Sequence, residues 1–124
     1  MKWPVLASIL SVAASAVAVA QTSIERQLTG PPDTNINAGV FTAINQDCST
    51  GSLPVVRLLA PPAHGNVTVT QASVHASKKC AGSDFPALVA IYRSTKDFTG
   101  RDNFSLEVKE STGETQIQIA VTVK

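Results

Sequence analysis

The chain has 124 residues, 44% hydrophobic and 15% charged, with ten Lys and Arg against nine Asp and Glu. A net charge of +1 excludes a protein that works by covering nucleic-acid phosphates, which needs a basic face to displace counterions. Leu, Ile, Val and Phe separated by turn residues exclude a disordered chain, and the length allows one ordinary domain.

Residues 1–20 differ in kind from the rest. Lys2 is their only charge, Trp3 to Ala20 are apolar or small, and Ala18-Val19-Ala20 forms a small-x-small site. This pattern predicts a cleavable secretory signal peptide, with the mature chain starting at Gln21 and destined for secretion or the periplasm. A retained anchor is the alternative, but the stretch is Ala- and Ser-rich and short for about 30 Å of hydrocarbon. No Cys follows it to take a lipid, and no membrane span is expected after cleavage. Cleavage leaves 104 residues with nine basic and nine acidic side chains.

Residues 21–37 are polar, contain Gly30-Pro31-Pro32-Asp33 and carry no apolar period. They are expected to form an extended leader or edge segment ahead of a domain over residues 38–124. Beyond them, apolar runs of four to eight residues alternate with turns, and nothing sustains a helical repeat. Residues 40–44 are a first predicted strand. Residues 53–60 are a second, ended by Pro61-Pro62, because proline cannot donate to a sheet ladder. After a His64-Gly65 turn, residues 66–70 alternate, with Val67 and Val69 on one face and Thr68 and Thr70 on the other.

Residues 71–86 are irregular and predict a long connection, with at most a short strand around Val74. Residues 87–93 resume as a strand with apolar side chains on both faces, expected to be central and covered on two sides. Residues 103–109 place Phe104, Leu106 and Val108 inward and Ser105, Glu107 and Lys109 outward. In the last strand Ile117, Ile119, Val121 and Val123 share one parity. Ser111-Thr112-Gly113-Glu114 turns the chain between these two strands, predicting a hairpin. Six or seven short strands in about a hundred residues describe a two-sheet β-sandwich.

Cys48 and Cys80 both fall in the exported part, where oxidising conditions favour a disulfide. Closing a loop of 32 residues contributes about 3.7 kcal/mol in the chain-entropy model. Neither a C-x-x-C spacing nor nearby histidines support a redox or metal pair. The bond is expected to tie the 71–86 connection to the start of the second predicted strand.

Two stretches are distinctive: Pro62-Ala63-His64-Gly65-Asn66-Val67, and Tyr92 to Leu106 reading Y-R-S-T-K-D-F-T-G-R-D-N-F-S-L. They resemble the cadherin-like, immunoglobulin-like repeats of bacterial surface and secreted proteins, with their P-x-H/N-G-x-V turn, Y-x-P-x-x-x-F-x-G-x-D-x-F run and closing Val-x-Val strand. Tyr92, Phe98, Gly100, Asp102 and Phe104 fall at matching offsets, and the likeness covers residues 55–124. It departs at Ser94, where the pattern has Pro, at Leu106, where an aromatic is common, and in the length of residues 71–86. The resemblance implies an immunoglobulin-like sandwich of about seven strands, in a single copy.

The matching residues also have physical roles of their own. Gly100 is expected to need a positive φ, and Phe98 and Phe104 to anchor loop ends in the core. Asp102 is expected to accept hydrogen bonds from amides of its own loop. Tyr92 is expected to bury its ring and tie its hydroxyl to nearby backbone, as in the tyrosine corner of sandwich domains.

Nucleophile-elbow, phosphate-loop, dinucleotide-binding and metalloprotease patterns are all missing. His64 and His75, the only histidines, have no catalytic partner at a diagnostic spacing. No enzyme activity and no cofactor are expected. Calcium is the one metal to weigh, because Asp97, Asp102 and Asp84 could share one end of the sandwich. A calcium site needs six to eight oxygens, so a single carboxylate capping a loop is the simpler role. The sequence therefore predicts a monomeric, non-catalytic adhesion, recognition or envelope-associated module with a protein or glycan partner. A small carbohydrate- or calcium-binding module is the alternative, and a small enzyme of unrecognised type the third reading.

Overall fold

The computed structural model describes residues 21–75 and 78–124; the predicted signal peptide, residues 1–20, lies outside them. Seven strands follow in order: β1 (Gln21–Gly30), β2 (Ile36–Thr42), β3 (Val55–Ala60), β4 (Gly65–His75), β5 (Asp84–Ser94), β6 (Gly100–Glu110) and β7 (Gly113–Val123), with one 3-10 turn at Lys78–Cys80. They form two sheets, β1-β7-β6-β3 and β2-β5-β4. The described chain is all-β, and none of its helical structure is long and apolar enough to cross a membrane.

The β6–β7 hairpin carries the core. Its register sets Phe104 opposite Ile119 and Leu106 opposite Ile117, so the apolar columns of the two strands coincide. Phe104, Leu106, Val108, Ile117, Ile119, Val121 and Val123 are all buried in one cluster with Ala90 and Tyr92 of β5. Each large aliphatic or aromatic side chain buried there contributes about 1.5–3 kcal/mol, and a slip of one residue would turn the whole column to solvent. Of the residues assigned outward, Ser105 and Glu107 lie on the far face of the sheet but are buried. Arg57 of β3, at 3.3 Å, and Lys109, at 3.4 Å, lie over the Glu107 carboxylate and cover it with their aliphatic stems.

Residues 21–30, expected to be an extended edge segment, pair in parallel with β7 from Gln21 opposite Glu114 to Gly30 opposite Val123. Ile24 and Leu28 pack against the core. Arg26, between them in the alternation, sends its guanidinium to the Ala38 carbonyl of the other sheet, 3.2 Å away. A cation at an inward-facing position hides the strand period from a hydropathy pattern. β2 starts four residues before its predicted start and contains a bulge between Asn37 and Gly39, where the Asn37 side chain accepts from the Gly39 amide at 2.9 Å.

Half of the predicted connection over residues 71–86 is strand. β4 continues to His75 and β5 begins at Asp84, in unbroken register. Residues 71–73 and 75 are exposed, so main-chain pairing sustains this end with no apolar period to show it. β5 is the central strand of its sheet and has buried residues on both faces: Ala90 and Tyr92 in the main core, Phe85 and Ala87 outside it. The Cys48–Cys80 disulfide joins the β2–β3 connection to the 3-10 turn ahead of β5.

Candidate functional site

The two distinctive stretches meet around one carboxylate. Asp102, near the start of β6, is 3% exposed. Its Oδ1 accepts from the Ala63 and Asn103 amides, both at 2.9 Å. Its Oδ2 accepts from the His64 amide at 3.0 Å and the Tyr92 hydroxyl at 2.8 Å. Only the Asn103 donor belongs to its own loop. Ala63 and His64 come from the β3–β4 turn, 39 and 38 residues away in sequence. The Tyr92 hydroxyl goes to this carboxylate, not to backbone, so the tyrosine-corner expectation is corrected: a carboxylate with two open lone-pair directions attracts the O–H more strongly than a carbonyl.

The electrostatics follow from this geometry. Burial alone would raise the Asp102 pKa, but the bonds from Tyr92, Ala63, His64 and Asn103 together hold it below the ordinary carboxylate value of 3.8. Burial, followed by the bond to Asp102 and its negative charge, pushes the Tyr92 phenol well above its ordinary value. At neutral pH the pair is a carboxylate and a neutral phenol.

The other motif residues support this node. Gly65 is required by space: a Cβ there would lie 2.5 Å from the Arg93 carbonyl oxygen and 2.8 Å from the Tyr92 ring. Gly100 has φ +134°, the positive value expected of it. The Phe98 ring stacks on His64 with centroids 4.2 Å apart, and Tyr92 lies parallel to Phe104 at 5.6 Å. The Thr95 amide donates to the His64 carbonyl at 2.8 Å and the Phe98 amide to the Thr95 carbonyl at 3.3 Å. His64 is thus held by stacking and backbone bonds.

Asp97 is exposed at φ 67°. Asp84 sits at the opposite end of β5, about 30 Å away at roughly 3.3 Å per residue, where it pairs with His75 at 2.6 Å. The expectation that these three aspartates share one end of the sandwich is therefore corrected for Asp84, because β5 starts there and runs the length of its sheet. Both Asp102 oxygens already hold two donors each. Among the described residues no group of three or more His, Cys, Asp and Glu could hold a metal ion.

Ser94, where the resembled repeats have Pro, has a reason to be there. Its buried hydroxyl accepts from the Asp33 amide at 3.0 Å, and Arg93 reaches Asp33 at 3.0 Å and Asn35 at 3.1 Å. Together they fasten the β1–β2 connection to the end of β5. Proline has no side-chain acceptor to offer. This cluster carries no sequence signature, because its members lie about 60 residues apart.

Two open grooves flank the node. One, of about 490 Å³, lies on the outer face of the four-stranded sheet, with Glu25 and Gln27 of β1, Asn103 of β6, and Gln118 and Ala120 of β7 along it. The second, of about 390 Å³, lies on the outer face of the other sheet around Asn35, Asn66, Thr68, Arg93 and Thr95. The only sequence signal for the first was the polar parity of β6 and β7. The site thus defines a class: an all-β, two-sheet sandwich whose most buried polar residues hold two turns together and whose concave surfaces mix amides and hydroxyls with a few charged side chains. Comparison of the chain with protein-family models, with curated proteins and with solved structures finds no match.

Proposed function

We propose that the chain is an exported, non-catalytic recognition module of immunoglobulin-like type that binds its partner through the amide-lined groove on the four-stranded sheet. The strand order supports the type: β2-β5-β4 corresponds to strands B-E-D of an immunoglobulin sandwich and β3-β6-β7 to C-F-G, with β1 added beside the last strand. A disulfide between the two connections fits an oxidising compartment.

The observation that carries the reading is the groove itself. Gln27, Asn103 and Gln118 surround Ala120, whose small side chain leaves the floor open, and Glu25 lies at one side. Each amide offers a donor pair and an acceptor, a chemistry suited to glycan hydroxyls. The node fixes the backbone that carries Asn103, whose main-chain N–H donates to Asp102. The calcium alternative has less support, since the Asp102 oxygens are fully used. A glycan array probed with the mature protein and with Gln118→Ala and Asn103→Ala tests the proposal. Binding that both variants lose while keeping the wild-type circular dichroism supports it. No glycan bound, or binding that survives both substitutions, overturns it.

A further inference from the structure

Two sheets have four open edges, and three of them carry a feature that discourages pairing with another strand. β1 has Glu25 and Arg26 in its middle, β2 has the bulge at Asn37 and Gly39, and β3 is six residues long with Arg57 and a bulge between Leu58 and Ala60. β4 has none. Its eleven residues, G-N-V-T-V-T-Q-A-S-V-H, include no Lys, Arg, Asp, Glu or Pro. Their register with β5 is unbroken, and most are exposed.

The direction of the unused main-chain groups follows from the ladder. The Thr95 amide donates to the His64 carbonyl, and the register continues one for one from Gly65 opposite Ser94. In an antiparallel pair, bonded and non-bonded positions alternate. Asn66, Thr68 and Thr70 therefore exchange bonds with β5, while the N–H and C=O groups of Gly65, Val67, Val69 and Gln71 point to the open side.

We propose that this edge pairs antiparallel with the β4 of a second copy about a two-fold axis at Thr68, joining two three-stranded sheets into one of six strands. The occupant is a second copy because the segment is complementary to itself. Val67-Thr68-Val69 reads the same in both directions, so Val67 falls opposite Val69 of the second copy and Thr68 opposite Thr68. Asn66 falls opposite Thr70. Valine pairs and hydroxyl pairs stabilise neighbouring strands, and like charges, which oppose self-pairing, are absent from β4. Val69, among the few large apolar side chains left exposed at 36%, gains apolar contact. Neither of the two larger grooves lies beyond the free edge of β4 to read the side chains of a foreign peptide, which is how strand-adding domains obtain specificity. The sequence predicted a monomer; the uncharged length of this edge is what argues otherwise, and only as concentration rises.

Sedimentation of the mature protein from about 10 µM to about 1 mM, the range in which weak contacts populate, tests the proposal. The average mass is expected to rise from monomer toward dimer. Thr68→Lys, which places like charges on the axis, and Val69→Pro, which removes an outward N–H, are expected to abolish that rise with circular dichroism unchanged. The register has its own readout. Thr68 pairs across the axis at a non-bonded position, with Cα atoms about 4.5 Å apart, within disulfide range, whereas the two Thr70 residues lie well apart. Mild oxidation should cross-link the Thr68→Cys dimer and leave Thr70→Cys uncross-linked. A wild-type protein monomeric throughout, an association unchanged by Thr68→Lys, or equal cross-linking of both cysteine variants overturns the proposal.

Discussion

Replacing Asp102 by Asn changes the charge and one atom of a buried group while keeping its shape. The amide keeps one oxygen, which can stay with the Ala63 and Asn103 amides, and places an NH2 where Oδ2 stood. The Tyr92 hydroxyl can rotate to accept from that NH2, but the His64 amide then faces a donor. A buried donor left without an acceptor costs about 1–3 kcal/mol, and hydrogen bonds to a charged acceptor are worth about 1.5–3 kcal/mol each. Asp102→Asn should therefore destabilise the domain by about 3–4 kcal/mol, lowering Tm by roughly 12 °C or more for a domain of this size. Tyr92→Phe removes one bond and strands no donor, so it should cost about 1.5–3 kcal/mol. Because the two groups share a bond, the double variant should lose less than the sum. Urea denaturation of the mature protein and the three variants measures all of these. If Asp102→Asn lies within about 0.5 kcal/mol of wild type, the level of an ordinary surface substitution, the node does not hold the two turns together.

The same node sets the response to pH. The folded Asp102 pKa is lowered, so its stabilisation is present at neutral pH and is lost as pH falls below about 3.8 toward the folded value; Asp102→Asn should flatten that acid limb. The folded Tyr92 pKa is raised, so its contribution is complete below about pH 10 and declines as pH climbs above it, a limb that Tyr92→Phe should lack. Joint Cys48→Ala and Cys80→Ala substitution should lower stability by up to about 3.7 kcal/mol in urea melts, and intact mass without reductant should be two hydrogens below the free-thiol value. Gly100→Ala should cost about 1–3 kcal/mol for its left-handed backbone alone, since its Cβ would meet Phe98 at an ordinary 3.5 Å. Gly65→Ala should cost more in the same assay, because its Cβ would lie 2.5 Å from a backbone oxygen that has little room to move.

The parts of the fold visible in the sequence are those where one face is buried and the other wet. Phe104, Leu106 and Val108 against Ile117, Ile119 and Val121 reveal the β6–β7 hairpin through alternation alone. β1 was hidden because Arg26 occupies an inward position and spends its charge on the Ala38 carbonyl. The far half of β4 was hidden because residues 71–73 and 75 face solvent whichever way they point. Asp102 was legible as an acceptor, since the loop around it is short and glycine-bearing. Three of its donors were not, because a carboxylate announces neither amides 38 and 39 residues upstream nor a phenol ten residues before it. The aspartates weighed for calcium were separated by the length of β5, a distance that becomes visible only once that strand is known to begin at Asp84.

Native-state hydrogen exchange tests most directly whether the motif residues serve the fold. Ala63 and His64 lie in a turn between strands, where amides ordinarily exchange through small local openings. With Asp102 as their buried acceptor, the amides of Ala63, His64 and Asn103 should exchange as slowly as those of Leu106 and Ile119, and all three should speed up together in Asp102→Asn. Fast exchange of these three amides in the wild-type protein, alongside slow exchange in β6 and β7, would contradict the role assigned to the carboxylate.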